Sequence, residues 1–235
     1  MKPLAIGMIA AFGATTASAQ DWDLSLTPYL WGAGIDGTLG IGPRSADVSV
    51  DFEDIVNVLD GAALLRFEAQ TDEHGFLVDL TFLSLEESEA RGALGGRIGV
   101  EIDTLILEGA YFRALGERHG IEFGVRYWDF ESTLIPTVLQ AATSRRTWTD
   151  GFVGFRATFD LSTEWVSLLR VNFGAGGADL SGGLQLDFRR QFERGNSLDL
   201  GLRVLDLDYD QGDNQAAMGM NIAFQGLTIG YTFDL

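Results

Sequence analysis

The chain closes on a strict alternation: Leu227, Ile229, Tyr231, Phe233 and Leu235 are apolar, with Gly226, Thr228, Gly230, Thr232 and Asp234 between them. Period-two alternation puts every second side chain on one face of a strand. A strand this apolar needs both edges paired, and a closed barrel with lipid around it meets that need. The pattern recurs in about ten segments along the chain. They are read at Trp22–Ile35, Leu59–Gln70, Phe76–Glu86, Val100–Arg113, Ile121–Trp128, Asp150–Phe159, Trp165–Phe173, Leu184–Arg189, Leu198–Val204 and the terminal strand. In the fourth, Glu101 and Asp103 share one parity and Glu108 has the other. A bulge near Leu105 would reconcile them.

Connections alternate in length. Thr71–Gly75, Leu115–Gly120, Asp160–Thr163 and Glu193–Ser197 read as short turns, whereas 36–58, 87–99, 134–147 and 210–222 read as long loops. Short periplasmic turns, longer outer loops and an even strand number describe an all-β transmembrane antiparallel up-and-down barrel of bacterial outer-membrane type. Eight strands is the alternative to ten, with two weaker segments as loops.

An Arg on the lipid face at mid-membrane costs about 2–4 kcal/mol, so mid-strand Arg side chains are expected to point inward. Arg66, Arg126, Arg156, Arg170, Arg189 and Arg203 fall on the polar parity of their strands, together with Glu68, Asp79, Glu122, Asp150, Asp187 and Asp199. These twelve form the expected lumen charge network, a narrow interior filled by Arg–carboxylate pairs. A soluble ligand-binding barrel would instead keep an apolar interior and a charged exterior.

Composition then narrows the class. Thirty-four acidic residues against 16 basic ones, a net charge of −18, exclude phosphate-directed nucleic-acid binding. There is no Cys, which rules out disulfides and thiolate metal sites. Lys2, the apolar stretch Leu4–Phe12 and Ala17-Ser18-Ala19 read as a secretory signal peptide over 1–19, with the barrel occupying 20–235 as one domain.

The segments Trp22-Asp-Leu-Ser-Leu-Thr-Pro-Tyr29-Leu-Trp31-Gly and Val48-Ser-Val-Asp-Phe52-Glu-Asp54-Ile resemble the opening of a widespread group of small proteobacterial outer-membrane β-barrel proteins. Gly124-Val-Arg126-Tyr-Trp128, Gly151-Phe-Val-Gly154-Phe-Arg156, Val171–Gly177 and Leu202–Tyr209 look like later landmarks of that group. The resemblance implies OmpA- or OmpW-type barrel architecture and an outer-membrane location, and no particular activity. It also implies outer-membrane lipid and lipopolysaccharide as partners, with the barrel-assembly machinery reading Tyr231, Phe233 and Leu235 as the assembly signal. Such chains commonly finish in Phe, where this one finishes in Leu235.

Candidate chemistry is sparse. His74 and His119 sit in separate expected periplasmic turns, and Ser181 has no His on its rim, so Ser–His hydrolysis is disfavoured. Asp206, Asp208, Asp210 and Asp213 invite a calcium reading, but Gln211 and Ala217 occupy the positions where an EF-hand loop has Gly and Glu. They are weak metal candidates in an expected outer loop, and no cofactor is implied. Asp47, Asp51, Glu53, Asp54, Glu86, Glu87 and Glu89 make the expected outer loops acidic, able to bridge lipopolysaccharide phosphates through divalent ions. Gly174–Gly177 lacks the following helix of a dinucleotide loop and reads as a strand-to-turn cluster. Trp22, Trp31, Trp128, Trp148, Trp165 and Tyr231 fall near strand ends, where aromatic girdles belong, with Trp31 and Trp128 facing inward against a packed rim. Residues 51–59 could form a short amphipathic helix over the lumen. The function read from these features is a non-enzymatic outer-membrane barrel with a structural or interaction role. A narrow channel for small solutes is the alternative, and a lipid-modifying enzyme comes third.

Overall fold

The computed structural model describes residues 22–42, 44–50, 59–92, 97–136, 140–192, 195–211 and 218–235. The signal segment 1–19, most of the expected capping helix (51–58) and Asp213 lie outside these residues. Among the described residues eleven strands form one antiparallel sheet: β1 Asp23–Ile41, β2 Arg44–Val50, β3 Leu59–Gln70, β4 His74–Gly92, β5 Arg97–Ala114, β6 His119–Pro136, β7 Ala142–Asp160, β8 Trp165–Gly176, β9 Leu180–Gln191, β10 Ser197–Gln211 and β11 Met218–Asp234.

The sheet closes on itself through β1 and β11, from Ser25 opposite Asp234 to Ile41 opposite Met218. Ten strands make the barrel and β2 is an addition. The lower part of β1 pairs with β3 (Asp23–Pro28 with Leu65–Gln70), and its upper part pairs with β2 (Ile35–Ile41 with Arg44–Val50). Pairing the first strand with the last closes the sheet, as a spanning sheet requires.

The strands run well beyond the segments read from alternation. The spans read as long loops contain strand: β1 and β2 occupy much of 36–50, β4 reaches Gly92 with Glu86, Glu87 and Glu89 inside it, and β10 reaches Gln211. No bulge occurs at Leu105, where β5 pairs in unbroken register with β6 from Ile98 to Ala114.

The reason is an inversion of polarity at one level of the barrel. On β6, Phe123, Val125 and Tyr127 face outward and are exposed, while Glu122 and Arg126 are buried inside. One turn of the pleat higher, Trp128 and Phe130 are buried inside and Asp129 and Glu131 face out. The same switch occurs on β10, from Leu200 and Leu202 outside with Arg203 inside, to Leu205 and Leu207 inside with Asp206 outside. It also occurs on β11, between Leu227 and Phe224. Along β6, β10 and β11 the face parity does not change; the surroundings do. Below the switch the outer wall is an apolar belt meeting lipid around a polar interior, and above it the barrel is built like a water-soluble protein. Glu101 and Asp103 therefore face out above the belt, and Glu108 faces in below, with no bulge needed.

Above the switch the interior is one apolar core holding Trp31, Ile35, Leu39, Leu83, Ile102, Trp128, Phe130, Trp148, Leu207, Met220 and Phe224 among others. Trp31, Trp128 and Trp148 are thus not girdle residues; 0–7% exposed, they fill the barrel. The periplasmic girdle holds Trp22, which stacks on Phe76 at 6.0 Å and meets His74 edge-on at 5.4 Å.

Candidate functional site

Below the apolar core, inward residues of the lower strands build a layered ionic network. Nearest the periplasm, Arg189 grips Asp199 with two hydrogen bonds, Nε at 2.7 Å and Nη2 at 3.1 Å. Asp199 also accepts from the Thr232 hydroxyl at 2.6 Å, tying β9 and β10 to the terminal strand. At a similar depth Arg156 pairs with Glu68 across the lumen at 2.7 Å and lies over the Phe112 ring at 4.3 Å.

The middle layer joins Arg66 to Asp79 at 2.9 Å and to the Gln185 amide oxygen at 2.7 Å, with Asp187 at 3.8 Å. Arg170 binds Glu122 at 2.8 Å and Glu108 at 2.5 Å. The uppermost layer is the most buried. Arg126 donates to Glu108 at 2.8 Å, to Asn172 Oδ1 at 2.7 Å and to Ser181 Oγ at 3.4 Å. Arg203 reaches Asp79 at 3.3 Å and Thr81 at 3.2 Å, donates to the Tyr29 hydroxyl, and lies over the Trp31 ring at 4.9 Å.

Six guanidiniums (Arg66, Arg126, Arg156, Arg170, Arg189, Arg203) thus meet six carboxylates (Glu68, Asp79, Glu108, Glu122, Asp187, Asp199). A buried charge left unpaired is costly, so a one-to-one balance is what lets this many ions sit within the bilayer. Eleven of the twelve residues expected from the sequence are joined here. The twelfth, Asp150, has a different place. It accepts from the Trp128 and Trp148 indoles at 3.1 and 3.3 Å and from the Ala178 amide at 2.9 Å, at the base of a stack in which the two Trp rings lie 5.6 Å apart. Asp150 therefore joins the ionic layer to the apolar core above. Tyr209 lies 4.5 Å from Trp148 in that core, and burial raises its hydroxyl above the ordinary tyrosine value.

Sequence reasoning missed Glu108, which holds both Arg126 and Arg170; unbroken parity along β5 was the available signal. Tyr29, Asn172 and Gln185 were also missed, because neutral polar residues on an inward face stand out little beside charges.

Beneath the network the barrel opens to the periplasm as a vestibule of about 960 Å³, walled by Arg66, Glu68, Arg156, Arg170, Gln185 and Arg189 among others. His74 and His119 open β4 and β6 at this end, beside aromatic rings of the outer wall. Ser181 is buried at the other end of the network, beside Arg126. Asp206, Asp208 and Asp210 lie on β10 rather than in an outer loop, on the outward face of a continuous strand.

The chain is similar to the outer membrane protease OmpT from Escherichia coli, with a TM-score of 0.56 at 6% identity over 94% of this chain and 99% of that one. It is also aligned with Ail, the attachment invasion locus protein of Yersinia pestis, at a TM-score of 0.40 and 7% identity over 90% and 99% of the two chains. Neisserial surface protein A aligns at 0.34 and 10% identity over 90% and 97%. No protein-family model and no curated protein matches the chain. The likeness to OmpT is one of fold: this is an outer-membrane β-barrel.

Proposed function

We propose that this protein is a non-conducting, non-enzymatic barrel of the bacterial outer membrane whose role is structural or interaction-based. The observation that carries the reading is Arg126. Its side chain has no exposed surface and is held by Glu108, Asn172 and Ser181, with the fully buried Trp128 two residues further along β6. Two different plugs lie in series, an ionic one at membrane depth and an apolar one above it. Ions crossing the barrel would have to break buried pairs and then wet an apolar core, and either step is costly. Both histidines stand at the periplasmic end, away from the outer leaflet and cell exterior where a surface hydrolase would meet its substrate.

The partners on this reading are lipid and lipopolysaccharide along the apolar belt, and the assembly machinery acting on Tyr231, Phe233 and Leu235, all exposed on the outer wall. Reconstitution in a planar bilayer tests the closed state, with no steady current expected from the purified protein. A steady open-channel current abolished or altered in Arg126→Ala would replace this reading with a narrow solute channel, for which the periplasmic vestibule would be the inner mouth.

A further inference from the structure

The barrel wall is not equally tall all round. β8 and β9 stop at Gly176 and Leu180, so β7 loses its β8 partner above Asp150 while its pairing with β6 continues to Ala142. On the far side of this notch β10 outruns β9, which ends opposite Asp208, and continues to Gln211 against β11. Phe173 and Leu180, exposed on the outer wall below the hairpin tip, set the floor of the notch at the top of the lipid belt.

Among the described residues, no strand pairs with this side of β7 from Ala142 to Thr149, a length of about 25 Å. The direction of its hydrogen-bonding groups follows from the ladder. Thr158 donates to Arg118 on the β6 side, and Thr149 accepts from Gly177 on the β8 side, so odd-numbered residues of β7 point toward the notch. Thr143, Arg145 and Thr147 therefore present backbone N–H and C=O groups there. The Arg145 carbonyl is taken by Arg146 Nη1 at 2.9 Å, a side-chain cap that an incoming amide would displace.

The surroundings choose among occupants. Asp179, Asp208 and Asp210 line the floor and far wall, and Asp129 and Glu131 flank the edge on β6; Arg145 bonds to Asp129 at 2.8 Å and lies 3.7 Å from Glu131. Acid thus outweighs base around the edge.

We propose that the β7 edge from Thr143 to Thr147 is a docking site for an extended, lysine- or arginine-bearing peptide segment, added as a strand at the cell surface. Main-chain hydrogen bonds would supply the affinity and the acidic walls the preference for base.

The test uses the full barrel in detergent micelles and a nine-residue peptide of alternating Lys and Val. Fluorescence anisotropy should show saturable binding that weakens at high salt, and the amides of Thr143, Arg145 and Thr147 should gain protection from hydrogen exchange. Peptide N-methylated along one edge should bind at least tenfold more weakly. Thr147→Pro removes an N–H that points to the notch and none that bonds β6, so this variant should keep its fold by circular dichroism and lose the peptide. Amides already protected in the free protein, binding indifferent to N-methylation and to Thr147→Pro, or a concentration-dependent dimer using this edge would each overturn the proposal.

Discussion

Glu108 on β5 and Arg126 on β6 are cross-strand partners whose side chains meet at 2.8 Å with no more than 1% of either exposed. Glu108 also lies 2.5 Å from Arg170 on β8, so one carboxylate is paired with two guanidiniums, both of which lie over the Phe152 ring. Removing it leaves Arg126 with only the neutral Asn172 and Ser181 and takes from Arg170 one of its two carboxylates, whereas removing Arg126 leaves Glu108 paired with Arg170. Glu108→Ala is therefore expected to cost about 3–5 kcal/mol and Arg126→Leu distinctly less. Urea unfolding in micelles measures both. Equal losses would mean that Glu108 is not the shared centre of the network.

The polarity switch on β10 makes a second prediction. Leu200 and Asp206 share the outward face of one strand, below and above the switch. Leu200→Arg should cost about 2–4 kcal/mol, because a guanidinium would lie against lipid. Asp206→Arg should stay within about 0.5 kcal/mol, since water surrounds that position. Equilibrium unfolding from lipid vesicles compares them, and similar penalties would show that the belt reaches Asp206.

That switch also sets what could be read from the sequence. Where lipid is the outer solvent, charge alternates against bulky apolar residues, and strands such as Leu59–Gln70 and the terminal one are plain. Above the belt the alternation persists with its sense reversed, which sets Glu101 and Asp103 out of phase with Glu108 and gives the upper strands the sequence character of acidic loops. The inward Arg and acid residues were legible because lipid penalises charge so heavily. Arg126 with Glu108 and Arg66 with Asp79 are neighbours on adjacent strands, but Arg156 with Glu68 and Arg66 with Gln185 are contacts across the lumen, fixed by barrel curvature rather than by strand spacing. Asp150 shows the same limit. It shares the parity and the neighbourhood of Arg126, but the indoles of Trp128 and Trp148 claim it first.

Asp150 gives the third prediction. Asp150→Ala would leave two indole N–H groups and the Ala178 amide buried without their acceptor, at about 1–3 kcal/mol for each group that finds no replacement. Asp150→Asn keeps one carbonyl oxygen and should lose less. The stacked Trp128 and Trp148 rings offer a direct readout in near-ultraviolet circular dichroism. A spectrum unchanged in Asp150→Ala would mean that core packing alone orders the pair.

The seam that closes the barrel can be tested at a single atom. Gly226 on β11 faces Ala33 on β1, and a Cβ at Gly226 would lie 1.8 Å from the Gly32 carbonyl oxygen and 2.7 Å from its carbon. Both are backbone atoms, which cannot rotate aside as a side-chain tip could. Gly226→Ala must therefore push β1 and β11 apart where the first and last strands have to meet. Gly151 on β7 is the control, an exposed position where a Cβ would meet nothing within 4 Å. Gly226→Ala is expected to cost at least about 1–3 kcal/mol, as overpacking does, and to slow refolding into vesicles. Gly151→Ala should change stability by less than about 0.5 kcal/mol. Because β1 reaches β11 only when the sheet has curled fully round, the Gly226 penalty should fall mainly on the last kinetic phase of refolding. A loss confined to the unfolding rate would instead mean that the seam is still unformed at the rate-limiting step.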